Sequence, residues 1–216
     1  IGGLGTNYAF YSIATDANGN RETTPGTPDA ATLVSLSNSP PTITISNSVA
    51  INEGETLDLP FTVNDLDADQ DLTLSLAGAP PGMILNAAAR RLNWPTGEGN
   101  GPSSNLVAVI VRDNGFPSLS ATGRVTVVVN EVNSPPTLEP ITNNVIEEGF
   151  LLAITNVASD TDLPVNKLTF SLGAGAPPGA SINSTNGIFT WQPNELQGPS
   201  TNNFAVIVTD NGQPNL

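Results

Sequence analysis

The feature that most constrains this chain is an internal repeat. The segment Asn38-Ser-Pro-Pro-Thr42 returns 95 residues later as Asn133-Ser-Pro-Pro-Thr137. Further motifs return in the same order while the offset drifts from 95 to 97, among them Glu53-Gly54 as Glu148-Gly149, Asp65 and Asp67 as Asp160 and Asp162, Trp94 as Trp191, and Asp113-Asn-Gly115 as Asp210-Asn-Gly212. This period is the size of one small domain, so the sequence predicts tandem modules.

The repeat divides the chain into three segments. Residues 38–132 form one full unit, and residues 133–216 form a second that stops before the counterpart of the first unit's closing valine-rich run. We expect the second unit to lack its last strand. Residues 1–37 contain two strand-like runs, Tyr8–Ala14 and Ala31–Leu36, which predict the closing hairpin of a preceding domain. Two interrupted ends indicate either an excerpt from a longer array or subunits that exchange strands.

Within each unit the pattern is that of strands. Short runs of alternating or β-branched residues are separated by Pro-Pro-Gly, Asn-Gly and Gly-Asn-Gly turns, and no stretch has a sustained helical period. Without crossover helices a parallel sheet is excluded. About seven strands per unit predict an all-β fold of tandem Greek-key immunoglobulin-like β-sandwiches.

The composition excludes several classes of function. The chain has 20 acidic against 6 basic side chains and a net charge of −14, so nucleic acid and anionic membranes would be repelled. No apolar run is long enough for membrane insertion. The absence of His and Cys removes zinc, haem and iron–sulfur ligation and the usual catalytic bases and thiolates, and we expect no enzymatic activity. The remaining ionic partner is a hard cation bound through oxygen.

The acidic residues concentrate in the loops that a sandwich places at its two poles. The A–B and E–F loops lie at one pole, the B–C and F–G loops at the other, so consecutive units bring their acidic loops together across the linker. The expected inter-domain oxygen ligands are Glu53, Glu55, Glu98, Glu131, Asn133, Asp160, Asp162 and Asp210. Ca²⁺ takes about six to eight oxygen ligands and would relieve the repulsion among them. Any single Asp is also explained by turn capping, but the recurrence in both units favours a cation site.

The order of these motifs resembles cadherin repeats. The resemblance rests on Glu53-Gly-Glu55, on Asp65-x-Asp67 ahead of Leu72-Thr-Leu-Ser-Leu76, on Asp113-Asn-Gly-x-Pro117 and on the linker Val129-Asn-Glu-Val-Asn-Ser-Pro-Pro136. The Ala-Pro-Pro-Gly and Trp-x-Pro elements are closer to bacterial cadherin-like or "putative Ig" repeats of large secreted adhesins. Residues 1–37 resemble the closing hairpin of a bacterial fibronectin-III-like domain.

The resemblance implies calcium at domain junctions, where it stiffens the array, and a task in adhesion or surface display outside the cell. It implies ligands at Glu53 and at Asp160, Asp162 and Asp210, with a weaker set, Asp65, Asp67 and Asp113, at the preceding junction. The linker departs from the cadherin pattern because Glu131-Val-Asn133-Ser134 lacks an aspartate. We therefore expect one or two Ca²⁺ ions near residues 130–133. The implied partners are neighbouring repeats, other copies of the chain, or a cell-surface receptor or glycan.

Two alternatives belong to other classes. A carbohydrate-binding accessory module of a secreted enzyme would use exposed Trp94 and Trp191 to stack on sugars, whereas a core role is the favoured interpretation of both. A filament subunit would use residues 1–37 to complete the open sandwich of a neighbouring copy, at the edge left after Leu216.

Overall fold

Alternating burial along the strands builds the core of this protein. In the closing strand of the first repeat, Val125, Val127 and Val129 are at most 1% exposed, while the residues between them turn away from the core. The structure is a computed structural model that describes residues 7–33, 37–67 and 70–216. The described residues form only strands and two 3₁₀ helices of three residues each, Glu98–Asn100 and Glu195–Gln197. Among these residues no helix is long or apolar enough to cross a membrane.

A two-stranded hairpin precedes the repeats. Its strands are β1 (Asn7–Phe10) and β2 (Ala30–Leu33), which pair antiparallel with Phe10 opposite Ala30. The two strands overlap the runs Tyr8–Ala14 and Ala31–Leu36, the end of which lies outside the described residues, and their membership of a preceding domain stays a prediction. The loop between the strands contains a tight turn in which Asp16 Oδ1 accepts the N–H groups of Asn18 and Asn20.

The first repeat contains nine strands. They are β3 (Thr42–Thr44), β4 (Ser48–Asn52), β5 (Thr56–Pro60), β6 (Thr62–Asn64), β7 (Thr73–Ala77), β8 (Ile84–Asn86), β9 (Arg91–Pro95), β10 (Ser103–Arg112) and β11 (Ser120–Asn130). One sheet has the order β4-β11-β10-β7, another has the order β5-β9-β8, and β3 pairs with β6. The pairing of β4 with β11 is parallel, whereas the other registered pairs of this repeat are antiparallel. This arrangement is a β-sandwich.

The second repeat reproduces seven of these strands. They are β12 (Thr137–Leu138), β13 (Leu152–Thr155), β14 (Ala158–Ser159), β15 (Thr169–Leu172), β16 (Ser181–Ile182), β17 (Ile188–Trp191) and β18 (Val206–Thr209). Their pairings, β13-β17-β16, β15-β18 and β12-β14, match those of the first repeat. The counterpart of β4, residues 143–147, forms no strand, which the sequence did not predict. That the second unit lacks its last strand stays a prediction from the repeat.

Contacts divide the chain into two compact units that cut across the repeat. The first takes in the described residues up to Ile45 together with Phe61–Ala77 and Ala108–Gly123, and the second takes in Ser46–Pro60, Gly78–Val107 and Arg124–Leu216. The long strands β10 and β11 run through both units. The domain boundaries at residues 38 and 133 stay a prediction from the repeat.

The alternation along β11 yields a test of the core. Val127→Ala removes two buried methyl groups and leaves a cavity, so we expect the free energy of unfolding to fall by about 2 kcal/mol. Val128→Ala, on the opposite face of the same strand, is the matched control and should lower the free energy of unfolding by well under half as much. Urea denaturation followed by tryptophan fluorescence measures both, and equal losses would contradict this assignment of the faces.

Candidate metal centre

Three glutamates from distant parts of the sequence meet in the second compact unit. Glu53 lies in the turn after β4, Glu98 begins a 3₁₀ helix, and Glu131 directly follows β11. One carboxylate oxygen from each lies within 4.8 Å of those of the other two. Because strands β4 and β11 run parallel and end together at Asn52 and Asn130, the residues that follow them leave the sheet side by side.

The backbone holds two of these carboxylates in place. Val132 donates its N–H to Glu53 Oε1 over 2.9 Å, and Leu163 donates its N–H to Glu98 Oε1 over 2.9 Å. Gly101 leaves room for the group, since a Cβ there would come within 2.8 Å of Glu53 Oε2. The second contact links the glutamates to the aspartate loop that follows β14.

Several carboxylate oxygens at this place are buried without a hydrogen-bond partner. Glu53 Oε2, Glu131 Oε2 and Asp160 Oδ2 accept no hydrogen bond among the described residues, and Glu53 is only 8% exposed. Buried carboxylate oxygens are normally paired, because loss of hydration is otherwise uncompensated. The unpartnered oxygens therefore mark a place where a positively charged group fits.

Burial and the neighbouring carboxylates also change the pKa of Glu131. The pKa of Glu131 is raised from its ordinary 4.5 to about 7. Desolvation is the largest cause, followed by the charge and hydrogen bond of Glu53 and by the charges of Glu98 and Asp162. No basic side chain offsets these charges among the described residues, where the single ion pair joins Arg91 to Asp58. A cation with oxygen preference matches this donor set, which contains only carboxylates and has neither nitrogen nor sulfur.

The aspartates of the second repeat form a hydrogen-bonded network beside the glutamates. Ser134 donates its N–H to both carboxylate oxygens of Asp162, at 3.2 and 3.0 Å, and Asp162 is 1% exposed. Asp160 Oδ1 accepts the N–H of Asp162 over 2.9 Å. Asn166 donates through Nδ2 to Asp162 Oδ2 and to Asn133 Oδ1. The loop after β14 is thus tied to the linker.

Asn133 connects the linker to the loop after β18. Its Nδ2 donates to Asp210 Oδ1 over 3.0 Å and to the carbonyl of Pro214 over 2.8 Å. Burial opposes ionisation of Asp210, but its pKa is still lowered from the ordinary 3.8. Asp210 accepts hydrogen bonds from the N–H of Gly212, the amide of Asn133 and the N–H of Leu216, and these stabilise its ionised form. Asp210 is therefore ionised and already supplied with donors.

The preceding junction repeats this network without the glutamates. Asn38 Nδ2 donates to Asp113 Oδ2 and to the carbonyl of Pro117, and Ser39 donates its N–H to Asp67 Oδ2. Asp65 Oδ1 accepts the N–H of Asp67, and Asp65 Oδ2 is buried without a partner. The described residues contain one carboxylate cluster of metal-binding spacing, and it lies at the second junction.

The structure brings together most of the residues predicted for the second junction. Glu53, Glu98 and Glu131 converge, and the network of Asp160, Asp162, Asn133 and Asp210 adjoins them. Glu55 does not join the cluster, because it is exposed and its Oε2 accepts the N–H of Asn52. Their role as metal ligands stays a prediction.

The sequence reasoning missed one amide in each repeat. Asn166 donates to Asn133, and Gln70 donates in the same way to Asn38 Oδ1. Both follow the Asp-x-Asp motif by three or four residues, a recurrence visible in the sequence.

Both tryptophans lie in the core, as favoured from the sequence. Trp94 is 1% exposed and Trp191 is 8% exposed. Each donates its indole N–H to a proline carbonyl of the Ala-Pro-Pro-Gly motif, Trp94 to Pro81 and Trp191 to Pro178. Neither side chain is placed to stack on a sugar at the surface.

Comparison with known proteins identifies the type of module. Residues 135–215 match the family model described as "Putative Ig domain". No curated protein matches the sequence. The match covers most of the second repeat and less than half of the chain, so residues 135–215 resemble a putative Ig domain.

Solved cadherin structures share the fold. Drosophila N-cadherin EC1-4 aligns over 99% of this chain and 56% of its own, with a TM-score of 0.55 and 16% identity. Protocadherin gammaB7 EC3-6, a cis-dimer structure, aligns over 95% of this chain and 62% of its own, with a TM-score of 0.52 and 17% identity. Human CDH23 EC21-23 aligns over 94% of this chain and 73% of its own, with a TM-score of 0.50 and 17% identity. The chain thus spans little more than half the length of the first two structures.

The contacts of Asn133 predict a loss of stability when its amide is removed. Asn133→Ala takes a donor from the buried Asp210 and from the Pro214 carbonyl, so we expect the free energy of unfolding to fall by about 1–3 kcal/mol. Asn143→Ala, an exposed amide in the same repeat, should cost less than about 0.5 kcal/mol. Equal effects in urea denaturation would contradict a bridging role for Asn133.

The raised pKa of Glu131 predicts an unusual pH dependence of stability. Between pH 4.5 and about 7 the folded protein binds more protons than the unfolded chain, so the free energy of unfolding falls as pH rises through this range. Asp113 and Asp210, whose pKa values are lowered, stay ionised throughout. Urea denaturation in a chelator at pH 5 and pH 8 measures the effect. Glu131→Gln should flatten the slope, and an unchanged slope would exclude Glu131 as its source.

Proposed function

We propose that this chain is a non-enzymatic extracellular structural or adhesion module in which one Ca²⁺ ion, bound at residues 130–133, rigidifies a rod of tandem β-sandwiches. The observation that supports it is the meeting of Glu53, Glu98 and Glu131 within 4.8 Å, with buried oxygens that have no partner. Like charges at this spacing repel strongly in a partly buried site. A bound cation removes that repulsion.

The donor set suits a hard cation of variable coordination. The three glutamates would hold the ion, and Asp160 Oδ2, a buried oxygen without a hydrogen-bond partner in the adjoining loop, is a further candidate ligand. Asp162 and Asp210 would orient the loops, because their oxygens already accept N–H groups. Ca²⁺ supplies two positive charges and about six to eight coordination positions in a flexible geometry, whereas Mg²⁺ demands a near-regular octahedron.

The ion would stiffen the linker because its proposed ligands come from both repeats and from the linker itself. Glu53 and Glu98 belong to the first repeat, Glu131 to the linker and Asp160 to the second repeat. An ion held by all of them resists rotation about the linker, and that resistance is what a spacer or adhesive array requires. Extracellular modules of this kind bind Ca²⁺ with dissociation constants of about 10⁻⁴–10⁻³ M, which suits a location outside the cell. Adhesion would then join repeats of the same polypeptide, other copies, or a receptor or glycan.

Calorimetric titration of the full chain with CaCl₂ tests the proposal. We expect one ion per chain, a higher melting temperature with Ca²⁺ than with chelator, and at least tenfold weaker binding in Glu131→Gln. Glu148→Gln is the matched control, because Glu148 occupies the position of Glu53 in the second repeat and lies outside the cluster. Absence of Ca²⁺ binding would overturn the proposal, and equal weakening by both substitutions would overturn the assignment of the ligands.

A further inference from the structure

A tight turn of the second repeat fixes one asparagine at the surface. The turn, residues 183–187, joins the antiparallel strands β16 and β17. Asn183 donates its N–H to the carbonyl of Ile188 over 2.9 Å, and its own carbonyl accepts the N–H of Gly187 over 2.9 Å. The backbone of Asn183 is therefore held in place where β16 ends.

Hydrogen bonds also orient the side chain of Asn183. Its Oδ1 accepts the N–H of Thr185 over 2.9 Å and that of Asn186 over 3.2 Å. Among the described residues, neither Asn183 Nδ2 nor the hydroxyl of Thr185 makes a hydrogen bond, and residues 183–186 are all exposed. An amide nitrogen and a hydroxyl two residues apart are thus both open to an approaching enzyme.

These two groups belong to the acceptor motif for N-linked glycosylation. The motif is Asn-x-Ser/Thr with any residue except proline in the middle, and Asn183-Ser184-Thr185 is its one occurrence in the sequence. The junction residues Asn38 and Asn133 do not match, because proline stands at the third position after each. A glycan is bulky and hydrophilic, so an acceptor must lie in a surface loop, as this turn does.

The first repeat contains the same turn without the motif. Asn86 takes the place of Asn183 and is also exposed, and its Oδ1 likewise accepts a backbone N–H of the turn, over 3.0 Å. Both turns end in a left-handed residue, with a φ of 57° in the first repeat and 68° in the second. Ala88 stands where Thr185 stands. The chain therefore offers a matched turn that lacks the hydroxyl.

We propose that Asn183 is an acceptor site for N-linked glycosylation, with an oligosaccharide carried on a polyprenyl pyrophosphate as the donor. A bond forms between Asn183 Nδ2 and the anomeric carbon of the first sugar, and the bond from that carbon to the pyrophosphate oxygen breaks. The pyrophosphate leaves as the anion, the amide gives up one proton, and nothing is oxidised or reduced. The inference rests on the extracellular location in the proposed function but not on cation binding.

The place of the turn in the fold gives this modification a consequence. Among the described residues β16 pairs with β17 alone, so it is an edge strand, and β8 is the corresponding edge strand of the first repeat. Exposed edges invite strand pairing between chains. Because Asn183 directly follows β16, a bulky hydrophilic group on it hinders such pairing at this edge.

Secretion of the full chain from cultured animal cells, behind a signal peptide, tests the proposal. These cells supply the lipid-linked donor and its transferase. We expect an intact mass above that of the sequence, its return to the sequence mass plus deamidation after peptide N-glycosidase treatment, and a peptide map that places the glycan on Asn183. Secretion of the unmodified chain would overturn the acceptor site.

Three variants separate the motif from the turn. Thr185→Ala removes the hydroxyl and should abolish the glycan, whereas Ser184→Ala, at the unconstrained middle position, should keep it. Ala88→Thr completes the motif in the matched turn and should add a second glycan, at Asn86. A glycan retained in Thr185→Ala would contradict the motif, and a single glycan in Ala88→Thr would contradict the turn as the accepted geometry.

Calcium titration of the same secreted proteins keeps this inference apart from the proposed function. Thr185→Ala should leave the Ca²⁺ affinity unchanged, because no residue of the turn belongs to the carboxylate cluster. Intact Ca²⁺ binding by a secreted chain without a glycan would overturn the acceptor site alone. A glycosylated chain that binds no Ca²⁺ would overturn the cation site alone.

Discussion

Every second side chain along the long strands of the first repeat is removed from water, and the rest of the structure depends on this burial. Val107, Val109, Val125 and Val127 are fully buried, and Trp94 lies with them in the core. Each fully buried valine stabilises the fold by about 1.5 kcal/mol or more, so a few such strands supply most of the driving force. The polar loops are held at the poles because the strands that precede them are fixed in register.

The junction is a direct product of that register. β4 and β11 end side by side, so Glu53 and Glu131 emerge together, and the 3₁₀ helix adds Glu98. Burial and the neighbouring carboxylates together raise the pKa of Glu131 to about 7, so ionisation of the three glutamates is unfavourable in the folded protein. The first junction has the same asparagine and aspartate network without glutamates, so the organisation of these loops does not depend on the glutamate cluster.

The closing strand of the first repeat, β11, has two roles. A closing strand both completes one sandwich and delivers the next Asn-Ser-Pro-Pro linker, whose Asn133 then organises the aspartate loops. In the second repeat, residues 143–147 form no strand. The stability of one module and its connection to the next therefore rest on the same strand.

The sequence alone determined the all-β class, the period of the repeat, the hairpin before it and the burial of both tryptophans, because alternation and turn residues are local signals. It also predicted the acidic residues of the junction as a group, since loop order in a sandwich assigns them to poles. Only the tertiary structure decided that Glu53, Glu98 and Glu131 converge while Glu55 turns back to Asn52, because side-chain direction depends on which backbone N–H lies within reach. It likewise decided that residues 143–147 form no strand, because strand formation depends on tertiary hydrogen-bond partners and not only on the local pattern.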